Sequence, residues 1–311
     1  MSTTPRIAGI GASLSDIGGD LDRARAQLDE LIGFGAEAAE LYASALGVVA
    51  DARLIPERIR ELKSLCAERA ISITLHAPIP IDLMDRDNIA LHRAAGRVSI
   101  DLAAEIGAKV VVIHAGRAHP DVWSAEPDAL LDFELEELSA LGDQAVAAGV
   151  RIGLENISPN PAVIAGRLTS YSLDPTLLAR QLRALDHPGV VGCLDYSHAT
   201  QGAGMLDLDP IEGARTMAPV TGHIHISEAS GVPAIPSVTS QSDWMYFGIG
   251  DMHAPLGIGC MDLDALADVS TVLPGTLAIL ELQGHARGML AGSLTRLRVF
   301  ADRVNALPIA A

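Results

Sequence analysis

Short apolar runs recur along the chain, separated by longer stretches in which apolar residues return every three or four positions. The runs are Arg6–Gly11, Glu37–Tyr42, Ile71–His76, Lys109–His114, Arg151–Asn156, Val190–Asp195, Gly222–Ile226 and Leu277–Leu282. They are rich in Val, Ile and Leu and do not alternate strictly, as expected of parallel strands buried on both faces. The intervening stretches include Leu21–Ile32, Pro56–Arg69, Asn88–Ile106, Asp128–Ala148, Asp174–Leu185 and Leu294–Leu307. Leu131, Leu135, Leu138 and Leu141 have the spacing of one helix face. Pro56 and Pro175 stand where a first helical turn accepts proline. Eight strand–helix units in 311 residues, about 39 residues each, suit a closed (β/α)8 barrel. The pattern predicts an α/β TIM barrel, a single domain over residues 1–311. A doubly wound sheet is the alternative, disfavoured by eight comparable units with no break in composition.

One segment departs from this rhythm. Between the seventh run and a helix predicted near Asp262 lies a long loop with little helical character. It holds Pro233, Pro236, a Ser/Thr stretch and then Asp243-Trp244-Met245-Tyr246-Phe247-Gly248. The chain has ten Phe, Trp or Tyr residues, and three fall within positions 244–247. Long irregular loops in a compact domain commonly serve function. A substrate-covering lid carrying Trp244, Tyr246 and Phe247 is therefore expected.

Composition narrows the partners. The 39 Asp and Glu residues outnumber the 22 Lys and Arg, for a formal charge of −17. A broad face for phosphate backbones needs basic surface, so nucleic acid is not expected as a partner. No apolar run approaches the roughly 18–20 residues of a membrane span. The opening Met-Ser-Thr-Thr-Pro-Arg has no apolar stretch of the signal-peptide kind. Cys66, Cys193 and Cys260 cannot all pair and lack C-x-x-C spacing, which points to a reduced, cytoplasmic setting. Lys63 and Lys109 are the only lysines. Lys109 opens a strand, at the end opposite to where barrel enzymes work, so Schiff-base chemistry has little to draw on.

The chemistry lies in what ends each strand. The third run ends in His76, the fourth in His114, the fifth in Glu155-Asn156 and the sixth in Asp195, followed by Tyr-Ser-His198. The seventh reads His223-Ile-His225-Ile-Ser-Glu228, and the eighth ends in Glu281. In a barrel these ends converge on one mouth. Any one of them has an ordinary explanation as a hydrogen-bonded rim residue or an ion-pair partner. Together, histidines and carboxylates crowded at one apolar mouth are costly unless their charge is compensated. A divalent cation does this economically, because carboxylate oxygen and imidazole nitrogen suit Mn, Zn, Fe, Co or Mg. His223 and His225, two apart, should both face inward, with His225 nearer the mouth and His223 one layer deeper. Asp251-Met-His253, in a Gly/Pro-rich part of the long loop, can add two further ligands.

With these residues in view, the chain resembles the xylose-isomerase-like TIM barrel superfamily, which spans sugar isomerases and epimerases and the endonuclease IV family. The likeness runs from the first strand to the last helix. Its most specific parts are Leu75-His76-Ala77-Pro78, Leu154-Glu155-Asn156, Asp195-Tyr196-Ser197-His198, His225-Ile226-Ser227-Glu228 and Asp251 to Gly259. In ketose 3-epimerase-like members, the resemblance implies one divalent ion on Glu155, Asp195, His225 and Glu281, with Glu155 and Glu281 as the acid–base pair. In endonuclease IV-like members it implies a three-zinc cluster that also draws on His76, His114, His198, Asp251 and His253.

Two activities follow as expectations. The first is a divalent-metal-dependent (Mn, Co, Mg or Zn) isomerase or epimerase of a small sugar, polyol or related carbonyl compound. Glu155 and Glu281 would move a carbon-bound proton through an enediolate, with His114 and His198 holding hydroxyls. The second is a multinuclear zinc phosphoesterase acting on a small phosphoester, and less readily on abasic DNA, since Arg86, Arg117 and Arg287 are the only arginines noted near the mouth. A non-enzymatic metal- or sugar-binding barrel is the third and weakest reading. A small-molecule substrate is the expected partner. Homo-oligomerisation is the general expectation for such an enzyme, with no segment marking an interface.

Overall fold

The computed structural model describes residues 4–308. Met1 to Thr3, at the head of the opening segment, and Ile309 to Ala311 lie outside the described residues. The barrel strands are β1 (Ile7–Ser13), β2 (Ala38–Tyr42), β3 (Ser72–His76), β4 (Val110–His114), β5 (Arg151–Glu155), β6 (Val190–Asp195), β7 (Thr221–Ile226) and β8 (Thr276–Leu280). Each pairs in parallel with its sequence neighbours, and β8 closes against β1. This is the (β/α)8 barrel that the recurring units predict. A two-stranded hairpin, Val49–Ala50 with Arg53–Leu54, sits outside the barrel and has no counterpart in the sequence reading.

Helices close the outer layer much as the periodicity requires. Pro56 and Pro175 open the helices Pro56–Ala67 and Pro175–Leu185. Asp174 caps the second by accepting from the Thr176 amide at 2.8 Å. Asp262 caps Leu263–Val269 in the same way, through Ala265. Outward-facing strand residues such as Ile113, Ile152, Leu194, Ile224 and Ile226 pack with these helices in one large core. Inward-facing residues form two small apolar plugs inside the barrel, Ala38–Leu277–Ile279 and Val110–Val112–Cys193. All three cysteines are free thiols. No helix among the described residues is long and apolar enough to cross a membrane.

Two features differ from the sequence pattern. The long loop after β7 contains a helix, Gln241–Phe247, capped by Ser240, which accepts from the Asp243 amide at 3.2 Å. The local Ser-x-x-Asp cap stabilises a turn that the Ser/Thr and Pro content had suggested would stay irregular. The second difference is in the helix Pro127–Ala148. Its buried face holds Leu130, Leu138 and Leu141, but also Glu134 and Glu137, while Leu131 and Leu135 are only half-buried. Glu137 pairs with Arg93. Glu134 accepts the Gly116 amide at 2.6 Å and the Tyr171 hydroxyl at 2.5 Å.

Burial dominates the titration of Glu134. It pushes the carboxyl up to about 7, with Asp82 adding repulsion, although Tyr171 and Gly116 favour the ionised form. The ordinary value is 4.5, so between pH 4.5 and 7 the folded chain binds this proton more tightly than the unfolded chain. Stability attributable to this group is full at acid pH and falls as pH rises through that window. The difference amounts to about 3 kcal/mol. Glu134→Gln copies the protonated carboxyl and should remove this slope. Urea unfolding from pH 4.5 to 8 checks it; parallel stability curves for the two proteins would refute the assignment.

Candidate metal centre

Four strand ends build the centre. Glu155 and Asp195 are the last residues of β5 and β6, His225 is the penultimate residue of β7, and Glu281 directly follows β8. The Glu281 amide still donates to the Ile226 carbonyl at 3.1 Å, so the chain keeps its strand course there. All four side chains are buried, and their nearest ligand atoms lie within 4.8 Å of one another. Asn156 locks two of these strands together. Its side chain donates to the Asp195 carbonyl and accepts from the Asp195 amide, each at 2.9 Å. Asp195 also caps the helix Tyr196–Leu206, accepting the His198 amide at 2.8 Å. That cap fixes the carboxylate and delivers His198 to the mouth together.

Imidazoles surround Glu155. His225 Nδ1 lies 3.1 Å and His198 Nδ1 3.4 Å from its Oε1; His114 Nε2 lies 3.2 Å and His76 Nε2 3.4 Å from its Oε2. Burial opposes ionisation, but His225 and His114 outweigh it and hold the Glu155 carboxyl well below the usual range. Asp195 behaves differently. Burial pushes it up to about 6, with Glu281 and Glu155 adding repulsion that His198 only partly offsets. Glu155 Oε2 is fully enclosed yet has no directed hydrogen bond. Three carboxylates and one imidazole, with an orphaned buried oxygen among them, are a donor set that fits a hard or borderline divalent ion.

A second group stands beside the first. Asp251 Oδ2 is 2.9 Å from His253 Nε2 and 3.2 Å from His198 Nε2. Ser197 and Gln201 donate to its other oxygen at 3.4 and 3.3 Å. His253 is turned by its Nδ1, 3.1 Å from the Glu281 carbonyl oxygen. Burial works against the His253 cation, but Asp251 prevails and raises it to about 9. The three residues form a second compact group of ligand type. The loop thus brings Asp251 and His253 to the mouth, next to the strand-end residues.

Beneath the mouth is a residue that strand-end reasoning passes over. Glu40, wholly buried in β2, takes hydrogen bonds from Thr74 Oγ1 and His223 Nε2, each at 3.0 Å. Its other oxygen lies 2.9 Å from His225 Nε2, close but without the alignment of a hydrogen bond. His225 therefore stands between Glu40 below and the mouth carboxylates above. Tyr42, two residues on, donates to Glu281 Oε1 at 2.5 Å and stacks on His76. The signal was present as Glu40-Leu41-Tyr42, the same period of two as His223-Ile224-His225.

Glu155 and Glu281 of the centre line a cavity of about 430 Å³, whose walls include Tyr42, His76, His114 and Asn160. Trp244 is buried and lines it, its Nε1 donating to the Val238 carbonyl at 2.6 Å. Tyr246 and Phe247 are 87% and 64% exposed and are absent from the cavity wall. Tyr246, two residues from Trp244, points to another side of the helix, and Phe247 is its last residue, just before the left-handed Gly248.

A profile described as xylose isomerase-like TIM barrel matches residues 28–286, and the chain belongs to that family. Among solved structures, a D-tagatose 3-epimerase-like protein is similar at 19% identity, with a TM-score of 0.68, covering 96% of this chain and 98% of that one. A xylose isomerase-like TIM barrel protein from Mycobacterium smegmatis, solved in complex with magnesium, is 18% identical, with a TM-score of 0.66 and coverage of 98% and 100%. An uncharacterized protein of Methanocaldococcus jannaschii is 26% identical over 182 residues, so the match spans 58% of that relative and 57% of this chain.

Among the described residues, Glu40 carries the only carboxylate placed against both His223 and His225 from below. Replacing it with leucine leaves two buried imidazoles without that partner. Glu40→Leu should destabilise the metal-stripped protein by about 3 kcal/mol, with Glu40→Gln milder. Urea unfolding in chelator provides the measurement; a loss of less than about 1 kcal/mol would show that the network is not needed to hold the barrel interior.

Proposed function

We propose that the protein is a divalent-metal-dependent isomerase or epimerase of a small sugar, polyol or related carbonyl compound. The single observation behind this is the convergence of Glu155, Asp195, His225 and Glu281 within 4.8 Å, with Glu155 and Glu281 opening onto the cavity. A divalent ion held by these four side chains supplies a Lewis acid for the substrate carbonyl. The protein's own groups do the rest. Glu155 and Glu281 come from strands three apart around the ring and so approach a bound substrate from different directions. One removes the proton from the carbon next to the carbonyl, and the other returns a proton to the opposite face. Tyr42 orients Glu281 through its hydroxyl. His114 and His198, both on the cavity wall, bind substrate hydroxyls. Trp244 covers the cavity and keeps water out, with Tyr246 and Phe247 on the outer side of the same short helix. The family match and the epimerase-like structural neighbour support this reading at the level of the superfamily.

Glu155→Gln and Glu281→Gln should each lower turnover of a responsive ketose by at least a hundredfold, in line with the ~10²–10⁴-fold worth of a positioned acid or base. Both should also suppress exchange of the carbon-bound proton with solvent deuterium. Exchange at the wild-type rate in either variant would remove that glutamate from the proton-transfer pair.

A second reading rests on the His198–Asp251–His253 group, which suits further zinc ions. With several ions bound, the site would be a phosphoesterase for a small phosphoester. Metal analysis of the purified protein separates the two. About one Mn, Co or Mg per chain supports the isomerase, and about three Zn per chain supports the hydrolase.

A further inference from the structure

One side chain on the cavity wall has a geometry that proton transfer does not explain. Asp16 lies in the loop after β1 and lines the cavity with Ser13 and Ser15. Its backbone is left-handed, with φ at 53°. The other left-handed positions of the same loop, with φ at 59° and 79°, are Gly18 and Gly19, the residue type that adopts this conformation freely. At position 16 the chain keeps a side chain where glycine would be less strained.

The surroundings hold the loop firmly by its backbone. Gln27 grips Ser15 from both sides, its Nε2 donating to the Ser15 carbonyl at 2.6 Å and its Oε1 accepting from the Ser15 amide at 3.1 Å. Arg287 Nη1 donates to the same Gln27 oxygen at 2.8 Å. Arg23 Nη1 donates to the Asp16 carbonyl at 3.3 Å. The Asp16 carboxylate takes part in none of this: none of the described residues hydrogen-bonds or ion-pairs with it. It lies over Gly284, three residues beyond Glu281, where a β-carbon would collide with Oδ2. Asp16 is exposed at the rim of the cavity, so its carboxylate meets solvent when the cavity is empty and is open to a molecule bound there.

We propose that Asp16 is a specificity-determining residue. Its two oxygens accept hydrogen bonds from adjacent hydroxyls of an uncharged, polyhydroxylated substrate whose reacting carbon lies by Glu155 and Glu281. This rests on the isomerase or epimerase reading of the centre and narrows its substrate class to unphosphorylated compounds. A carboxylate matches a vicinal diol in spacing and hydrogen-bond sense and repels a phosphate dianion. The cavity offers a phosphate little in return. Among the described residues, Arg117 is its one basic side chain apart from histidines. Its Nη2 already donates to the Ile79 and Ile81 carbonyls at 3.2 and 3.4 Å, and its Nε lies 3.6 Å from Asp82.

The test compares wild type, Asp16→Ala and Asp16→Gly, each loaded with metal, on a panel of ketohexoses and the matching 6-phosphates. Turnover and calorimetric binding are both measured. Wild type should prefer the free sugars by at least tenfold. Both variants should raise KM or Kd for free sugars tenfold or more, with kcat falling by less than KM rises, and should narrow the gap to the phosphates. Asp16→Gly should melt no lower than wild type, which separates lost recognition from lost folding. Equal use of free and phosphorylated sugars by wild type, or unchanged affinity in both variants, overturns the assignment. Asp16-dependent sugar binding without turnover would instead sink the reaction while leaving the specificity role standing. No sugar binding at all would sink both.

Discussion

Glu155 is completely buried, and four imidazoles stand within 3.4 Å of its carboxylate. A carboxylate taken out of water costs several kcal/mol unless compensating groups are held in place. The upper half of the barrel is arranged around that requirement. Each imidazole comes from a different strand or helix start, so the compensation works only if β3, β4, β6 and β7 keep register with β5. The registers do so: His114 lies opposite Glu155 across one ladder, Glu155 opposite Cys193 across the next, and Asp195 opposite His225 across the third. A slip of one residue on any of these strands would send its ligand to the helix side and bring an isoleucine, leucine or valine to the mouth.

The interior is consequently layered. A polar storey of Glu40, Thr74 and His223 lies beneath the ligand-type residues, and the apolar Leu277 and Cys193 share its level, each in register with His223. That storey gives the top layer its rigidity, since His225 is held between carboxylates on two levels. A donor set fixed from below in this way keeps its geometry through binding events, which is what metal ligation and directional proton transfer require.

The barrel and most of the mouth were legible in the sequence because both are written at strand ends, where an apolar run stops on His, Asp or Glu. Glu40 was not, because it sits within its strand and its inward direction is visible only once the partner His223 is placed. Tyr42 ended its run without a charge, so only its spacing of two from Glu40 marked it. The buried glutamates of Pro127–Ala148 defeated the helix pattern for a similar reason: their partners Gly116, Tyr171 and Arg93 lie in other units of the fold. The aromatic cluster near 244 was visible as composition, but composition could not say that the helix Gln241–Phe247 would bury Trp244 and leave Tyr246 and Phe247 exposed. What sequence periodicity misses here is pairing between elements.

The distribution of backbone strain points the same way as the charge. Six non-glycine residues among those described are left-handed. Asp186 and Asp207 terminate helices, and Asp51 and Ala52 turn the small hairpin, places where the chain must reverse and the cost is met by closing an element. Asp16 and His253 terminate nothing. Both line the cavity, on opposite sides of the Glu281 segment: Asp16 against Gly284, and His253 on the Glu281 carbonyl. Both positions thus lie beside Glu281, which with Glu155 belongs to the buried group of ligand type and also lines the cavity. The loop after β1 and the long loop after β7 thus meet the end of β8 from left-handed turns of their own, which is how segments far apart in sequence come to share one cavity wall.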